Sequence, residues 1–320
     1  MYAIDPEFLG SFPDGRRFLL HAITLLLLTG VLGCSPVQEE ATPRPVEETR
    51  RPNRAVPTRP FQIIGNIYYV GQTDNSLPGS DDASYLITSP EGHVLLDSGD
   101  EHTIPQIQAN VREMGFRMED IKYLVHSHSH ADHVAGDALI QEAVPGIELW
   151  VMEGDAEVVS SGGEADFDPD RPKFAPAEVD RVLKDGDQVQ VGETTLVAHH
   201  TAGHTKGCTS WSTEVEDGGE SYSVIFVCGV RISGGMVLVN NPRYPGIADD
   251  FQATFAKLRA LQPDVFLASH GFFFGMAEKA KKLEEGVTPN PFIDPEGYTA
   301  FLDEGEGAFL AEYKNQGGMP

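Results

Sequence analysis

From Phe61 onward, apolar positions recur at strand and helix spacings. Residues 61–71 read FQIIGNIYYVG, two short β-rich runs split by Gly65-Asn66, which predicts a hairpin. Residues 83–88 and 94–97 flank Pro90-Glu91-Gly92 and predict a second hairpin. Ile104, Ile107, Val111 and Met114 recur at helical period, so a helix is expected over residues 103–114. A buried strand is predicted over residues 121–125, a helix over 135–143 and another strand over 147–152. Gly, Asp and Pro dominate 158–180, which predicts an ordered loop. Beyond it lie β-rich runs at 188–191, 194–199, 208–215 and 222–228, a long helix over 247–261, a strand over 264–268 and one or two closing helices. Hairpins, then βαβ pieces, then hairpins predict an α/β fold: two mixed sheets packed together, with helices on the outer faces. One domain over residues 61–320 is the simplest parse.

The first sixty residues follow a different pattern. Arg16 and Arg17 precede an apolar run over 18–32, shorter than the roughly 20 residues needed to span a hydrocarbon core. A basic flank, a short apolar stretch and small residues at its end predict a signal peptide over residues 1–34 and export to the periplasm. The run ends Val31-Leu32-Gly33-Cys34, which resembles the lipobox of bacterial lipoproteins. That resemblance implies lipidation of Cys34 and a membrane contact through the lipid alone; plain cleavage beside an incidental cysteine is the other reading. Residues 35–60 carry six prolines, five arginines and four glutamates, with Val as the only large aliphatic type, and are expected to be a disordered linker. The chain has 23 Lys and Arg against 49 Asp and Glu, a formal charge of -26, nearly all of it beyond residue 34. That balance disfavours nucleic acid as a partner, because binding phosphates needs clustered cations. A monomer acting on a small molecule is expected.

Residues 124–133 read LVHSHSHADH, placing His126, His128, His130, Asp132 and His133 just past a predicted strand. Imidazoles at i and i+2 of an extended loop point to one side, and Asp132-His133 turns to a neighbouring point. Packing alone does not call for four histidines and an aspartate in eight residues, whereas a divalent transition metal does. His204 lies in a Gly-flanked turn after the strand TTLVAHH, and His270 follows the strand DVFLAS. Histidines at strand ends can converge at one sheet edge. Together these side chains suffice for two adjacent zinc ions with three protein ligands each, leaving open positions of the kind found in catalytic sites.

H-x-H-x-D-H, then G-H-T-x-G, then a strand ending in His resembles the metallo-beta-lactamase superfamily, and most of all the third subclass of class B beta-lactamases. The segments ASYLITSPEGHVLLDSGD, SGGEADF and NNPRYPGIADDFQATFAKLRALQPDVFLASHG carry the same likeness. The resemblance implies a hydrolase with two zinc ions that opens the beta-lactam ring of penicillins, cephalosporins and carbapenems with a zinc-held hydroxide. It gives His128, His130 and His204 to the first zinc, and Asp132, His133 and His270 to the second. Asp132 would also orient the nucleophile and pass on its proton, the catalytic role. Asp97, in LLDSGD, resembles the family's buried aspartate that orients ligands rather than binding metal. His126 falls outside the ligand pattern.

Counting back from NNPRYP, the position where such relatives place a serine near the second zinc falls at Val230. Arg231, Ser233 and Lys206 are the candidates to hold a substrate carboxylate in its place, each also readable as a solvated side chain. Cys208 and Cys228 are equidistant from Gly218 in a predicted hairpin turn, a register that allows a disulfide; two buried thiols are the other reading. Hydrolysis of another cyclic ester or amide, such as a lactone, needs the same chemistry and only a different pocket. A binding lipoprotein that kept the fold and lost catalysis is the reading from another class.

Overall fold

The structure is a computed structural model that describes residues 59–71 and 82–319. The predicted signal, Cys34 and the linker up to residue 58 lie outside the described residues. In chain order the first half forms β1 (Phe61–Ile64), β2 (Ile67–Tyr69), β3 (Tyr85–Ser89), β4 (Gly92–Leu96), α1 (Ile104–Glu113), β5 (Ile121–Val125), α2 (Ala131–Val134), α3 (Asp137–Ala143), β6 (Glu148–Met152), α4 (Ala156–Ser160) and β7 (Arg181–Leu183). Its seven strands make one sheet in sequence order, antiparallel from β1 to β4 and parallel from β4 to β7. The second half adds β8 (Gln188–Val191), β9 (Thr194–His200), β10 (Thr209–Asp217), β11 (Glu220–Val227), α5 (Ile247–Leu261), β12 (Val265–Ala268), α6 (Met276–Glu284) and α7 (Pro295–Asn315). These strands form a five-stranded sheet in the order β12-β11-β10-β9-β8, with β11 and β12 parallel.

Side chains alternate across each strand, so the first sheet feeds two apolar layers. Tyr85, Ile87, Val94, Leu96 and Val125 join the core that also takes in Trp211, Val224 and Phe226 of the second sheet. Leu86, Leu95 and Leu124 face the other way, where Ile107 and Val111 of α1 cover them. Strands buried on both faces read as near-continuous apolar runs, as Val94-Leu95-Leu96 of β4 does, whereas β5 leaves Lys122 exposed. On α5 and α7, Phe251, Phe255 and Phe309 pack ring on ring, with centroids 5.3 to 6.5 Å apart.

Three local expectations need correction. The helix predicted over 135–143 begins earlier, at Ala131, breaks, and restarts at Asp137. The break follows from where one carbonyl is used: His133 O accepts from Ser98 N (3.0 Å) and Gly99 N (3.2 Å) instead of continuing the helical ladder. Gly136 lies so close to the loop after β4 that a Cβ there would sit 2.4 Å from Ile104 and 2.8 Å from Ser98 O. Around the predicted loop, Val158 and Val159 are buried on α4, and Arg181 starts β7 at the sheet edge with its guanidinium 4.4 Å from the Trp150 ring. Both elements are too short to show a period. The third correction concerns the β10–β11 hairpin, whose turn is Gly218-Gly219, both with positive φ, so that Asp217 pairs with Glu220. Cys208 and Cys228 are therefore not directly opposite. They lie just past the last paired residues, Trp211 and Phe226, and form a disulfide across a Cα–Cα distance of 5.9 Å.

Candidate metal centre

The histidines of the predicted set sit in the segments that leave strand ends, His133 on α2 after β5 and the others in loops, where side chains can converge. The loop after β5 carries His126 to His130 and is pinned to the second sheet, since Thr209 N donates to Ser127 O (2.7 Å) and Trp211 Nε1 to His126 O (2.9 Å). His204 comes from the turn between β9 and β10, and His270 directly follows Ser269 at the end of β12.

His128, His130 and His204 form a near-equilateral triangle of rings, with centroids 4.6, 4.7 and 4.7 Å apart and planes 74° to 81° from one another. Three mutually steep imidazoles enclose a point, which stacked or packed rings do not. His128 Nε2 and His130 Nε2 are buried without a hydrogen-bond partner. Such orphaned donors fit a cation, because a buried nitrogen left unpaired would otherwise carry its full desolvation penalty. Burial, then mutual repulsion, holds the pKa of His128 and His130 well below the ordinary imidazole value. Burial likewise lowers His204 to about 4. All three are therefore neutral near pH 7, the form that binds metal.

Asp132, His133 and His270 form the second cluster. His133 Nε2 lies 3.3 Å from His270 Nε2 and 3.5 Å from Asp132 Oδ2, and the His128 and His133 ring centroids are 4.1 Å apart. Burial pushes the Asp132 carboxyl up, but the facing His133 and His270 outweigh it and hold it below its usual range. For His133, burial lowers the pKa, and Asp132 and Asp97 more than reverse this, leaving it raised. Asp82, not singled out in the sequence, lies within 4.8 Å of the same donor atoms. Burial pushes its carboxyl up to about 6 against the pull of His270.

Asp97 ties the loop together. It is buried with φ +64, a left-handed conformation that costs a non-glycine residue strain and concentrates at functional sites. Its carboxylate accepts from Ser127 N (2.6 Å) and Ser127 Oγ (2.7 Å) and stands 3.0 Å from His133 Nδ1. Because the Ser127 hydroxyl donates to Asp97, it accepts from His128 Nδ1 at 3.0 Å, which leaves His128 Nε2 free to ligate. Burial opposes the Asp97 charge, but His133 and His126 prevail and hold its pKa well below the carboxylate range.

His126 is outside both clusters but is not incidental. Its Nε2 lies 2.9 Å from Asp137 Oδ2 and its Nδ1 3.7 Å from Asp97 Oδ1, all three side chains being buried. Burial works against its charge, yet Asp137 and Asp97 push the imidazole up to about 10. It is the buried cation between two carboxylates.

Two further residues escaped the sequence. Asp155, between β6 and α4, accepts from Ser129 N (3.0 Å), Thr205 Oγ1 (2.7 Å) and Gly207 N (2.7 Å), fastening the first histidine loop to the turn that bears His204. Gly207 must be glycine here, since a Cβ would sit 2.5 Å from Asp155 N. The only hint was an acid just past a strand. Arg171, in the loop after α4, donates to Ser233 Oγ at 2.9 Å and helps depress His130 and His204.

The substrate-binding candidates separate. Arg231 O accepts from His204 Nδ1 (2.9 Å), while its guanidinium lies 5.2 and 5.1 Å from the rings of Phe272 and Phe273 and 3.4 Å from Glu304. Arg231 and Ser233 line a cleft of about 480 Å³ with Met236, Phe301 and Glu304. Lys206 turns to Tyr244, 5.6 Å from its ring. Val230 is buried, and the space beside it is so tight that a Cβ on Gly305 of α7 would sit 2.7 Å from it.

The family model of the metallo-beta-lactamase superfamily matches residues 81–270. FEZ-1 metallo-beta-lactamase from Legionella gormanii is 38% identical at a TM-score of 0.76, covering 82% of this chain and 98% of its own. BJP-1, a subclass B3 metallo-beta-lactamase of Bradyrhizobium japonicum, is 36% identical at a TM-score of 0.74, covering 83% and 97%. Human mitochondrial persulfide dioxygenase ETHE1 is 29% identical over 130 residues, 40% of this chain and 42% of that protein, so the chain matches less than half of that relative's length. With the family model spanning more than half of the sequence, and the fold shared almost end to end with solved metallo-beta-lactamases, the chain belongs to the metallo-beta-lactamase superfamily.

Proposed function

We propose that this protein is a zinc-dependent beta-lactamase that holds two zinc ions and opens the ring of penicillins, cephalosporins and carbapenems. The observation that carries the reading is the pair of adjoining clusters, three imidazoles beside an Asp-His-His set, on a fold like that of two metallo-beta-lactamases. When bound, zinc supplies a water acidified towards neutral pH and a Lewis acid for a carbonyl oxygen. Everything else falls to the chain's own side chains. His128, His130 and His204 would hold one ion; Asp132, His133 and His270 the other. Asp132, with its side chain 44% exposed, can reach a solvent water, orient it as a hydrogen-bond acceptor and take its proton. Arg231, Ser233 and Arg171 offer a cationic, hydroxyl-bearing rim for the carboxylate of a beta-lactam.

Turnover of a chromogenic cephalosporin and of a carbapenem, each with and without a chelator, tests this. Chelator-sensitive hydrolysis of both is expected; no hydrolysis of either by zinc-loaded protein overturns the reading. The second reading, a hydrolase of another cyclic ester or amide, draws on Val230, which is sunk in the core where a pocket serine was sought. Hydrolysis of a lactone with neither antibiotic turned over would establish it. A periplasmic location, through a cleaved signal and lipidation at Cys34, completes the proposal, and the Cys208–Cys228 disulfide supports an oxidising compartment. Mass spectrometry of the mature N-terminus decides it: a diacylated Cys34 is expected, and an unprocessed chain overturns it.

A further inference from the structure

Asp82 sits just before β3, is 5% exposed, and pairs with His270 in an isolated antiparallel bridge. Ala83 N donates to Ser269 O at 2.8 Å, and the Tyr85 hydroxyl donates to Ala268 O at 2.6 Å. These bonds lash the start of β3, in the first sheet, to the end of β12, in the second. Residues directly opposite one another across such a pair point their side chains to the same side. Asp82 Oδ1 is thereby brought 3.0 Å from His270 Nδ1.

The other nitrogen of that ring faces the cluster, with Nε2 3.3 Å from His133 Nε2 and 3.8 Å from Asp132 Oδ2. His133 Nδ1 hydrogen-bonds Asp97 at 3.0 Å with its Nε2 towards the cluster, and Asp82 approaches His270 Nδ1 at the same distance as an ion pair. An imidazole offers a lone pair at Nε2 only while its proton sits on Nδ1, and a carboxylate behind Nδ1 fixes that tautomer and the ring angle. We propose that Asp82 is the positioning residue of His270, holding its proton on Nδ1 so that Nε2 is presented to a cation in the second cluster.

His270 needs such a hold more than His133 does. Its side chain is 17% exposed against 0% for His133, and it leads into a short 3-10 turn, not a regular element. Phe272 and Phe273 lie against its ring, with centroids 5.4 and 5.1 Å away, and aromatic faces do not distinguish one ring nitrogen from the other. Asp82 does, because its carboxylate comes up against Nδ1 at 3.0 Å. Asp97 serves His133 directly and His128 through Ser127, so it acts on both clusters. Asp82 touches the second alone.

The inference rests on the second cluster being a metal site, as in the proposed function, but not on any substrate. Full-length protein with Asp82→Asn or Asp82→Ala, stripped of metal, is titrated with zinc against a chromophoric chelator. The Ala variant is expected to lose 10- to 100-fold in affinity for one of the two ions, and the other ion's affinity is unchanged. The Asn variant, whose amide oxygen can still accept from Nδ1, should fall between it and the parent. ¹⁵N shifts of His270 in the metal-free protein should report the Nδ1–H tautomer in the parent and a tautomer mixture in Asp82→Ala. At saturating cobalt(II), the visible bands of Asp82→Asn should match the parent's, because the ligand set is intact. Equal weakening for both ions, no weakening at all, or an unmixed tautomer in the Ala variant overturns the proposal. Shifted cobalt bands in Asp82→Asn also overturn it, since they would make Asp82 a ligand. If the Ala variant does not fold, the Asn variant decides by the same titration and spectra. None of these readouts uses a beta-lactam, so a protein that binds two ions as expected and hydrolyses no antibiotic refutes the function and leaves this inference standing.

Discussion

The two donor clusters touch, ring against ring, yet the protein holds them by different means. In the first, three neutral imidazoles meet, and neutral groups stand behind two of them: the Ser127 hydroxyl behind His128 and the Arg231 carbonyl behind His204. In the second, a carboxylate is itself a member, and Asp97 and Asp82 stand behind the two imidazoles. A dication on three neutral ligands would keep its full charge, which suits a strong pull on a carbonyl oxygen. One that shares Asp132 and leans on two further acids would be partly neutralised and held more firmly. Adjacency therefore does not make the clusters equivalent, and substitutions should separate them.

The largest effect is expected from His204→Ala. It removes one corner of the imidazole triangle and should lower first-cluster zinc affinity and turnover together. Losing several kcal/mol of transition-state stabilisation corresponds to a fall of about 10³-fold in kcat/KM. Equilibrium dialysis beside steady-state kinetics checks this: zinc retained at parent affinity would remove His204 from the ligand set.

Asp97→Ala should act on both clusters and on the fold. Ser127 N, Ser127 Oγ and His133 Nδ1 lose their acceptor, and His126 loses one of its two counter-charges. Breaking a buried charge pair by removing one partner costs about 3–5 kcal/mol, so denaturant unfolding of the metal-free protein should show a loss in that range. Weakened zinc binding with unchanged stability would mean that the Asp97 network serves the ions alone.

His126→Ala inverts that pattern. Read from the sequence, this residue lies outside the ligand set, and its removal should leave zinc and turnover nearly intact. The structure adds a cost, because buried Asp137 would lose its 2.9 Å partner and Asp97 one of its two imidazoles. A loss of about 3 kcal/mol in unfolding free energy is expected, with first-cluster zinc affinity within a few-fold of the parent. The sign of its pH dependence follows from the raised pKa: relative to an unfolded imidazole near 6.5, His126 stabilises fully below that value, and the contribution fades as pH rises towards 10. The gap in stability between parent and variant should narrow over that interval in unfolding curves.

What could be read from the sequence follows a physical divide. Ligand types at strand ends announce themselves, because nothing else asks for His128, His130, Asp132 and His133 within six positions. The strands and long helices were equally visible, since burial leaves β4 an apolar run and sets a helical period on α5. Asp82, Asp155 and Arg171 were not, because each is a single polar residue in a loop, and its role depends on a partner 50 or more positions away. The Cys208–Cys228 register slipped by one residue for a related reason. A two-residue Gly-Gly turn and a three-residue turn predict different opposite partners, and composition alone does not choose between them.

The smallest effect, and the one that separates the clusters without a substitution, is the pH dependence of zinc uptake by the metal-free chain. Metal and proton compete for the same imidazole nitrogen, so affinity depends on pH only where a ligand is protonated. Burial keeps the first three histidines neutral, with His204 protonating only near 4, so their affinity should stay flat between about pH 5.5 and 8. In the second cluster, Asp132 and Asp97 hold the His133 pKa above the ordinary imidazole value against its burial, so below that raised value a proton must leave as an ion enters. Second-cluster affinity should therefore rise with pH by up to about tenfold per unit while His133 remains protonated, with one proton released per ion bound. Calorimetric titrations in buffers of different ionisation enthalpy count that proton directly, and a proton released instead on filling the first cluster would reverse the assignment of charge between the two.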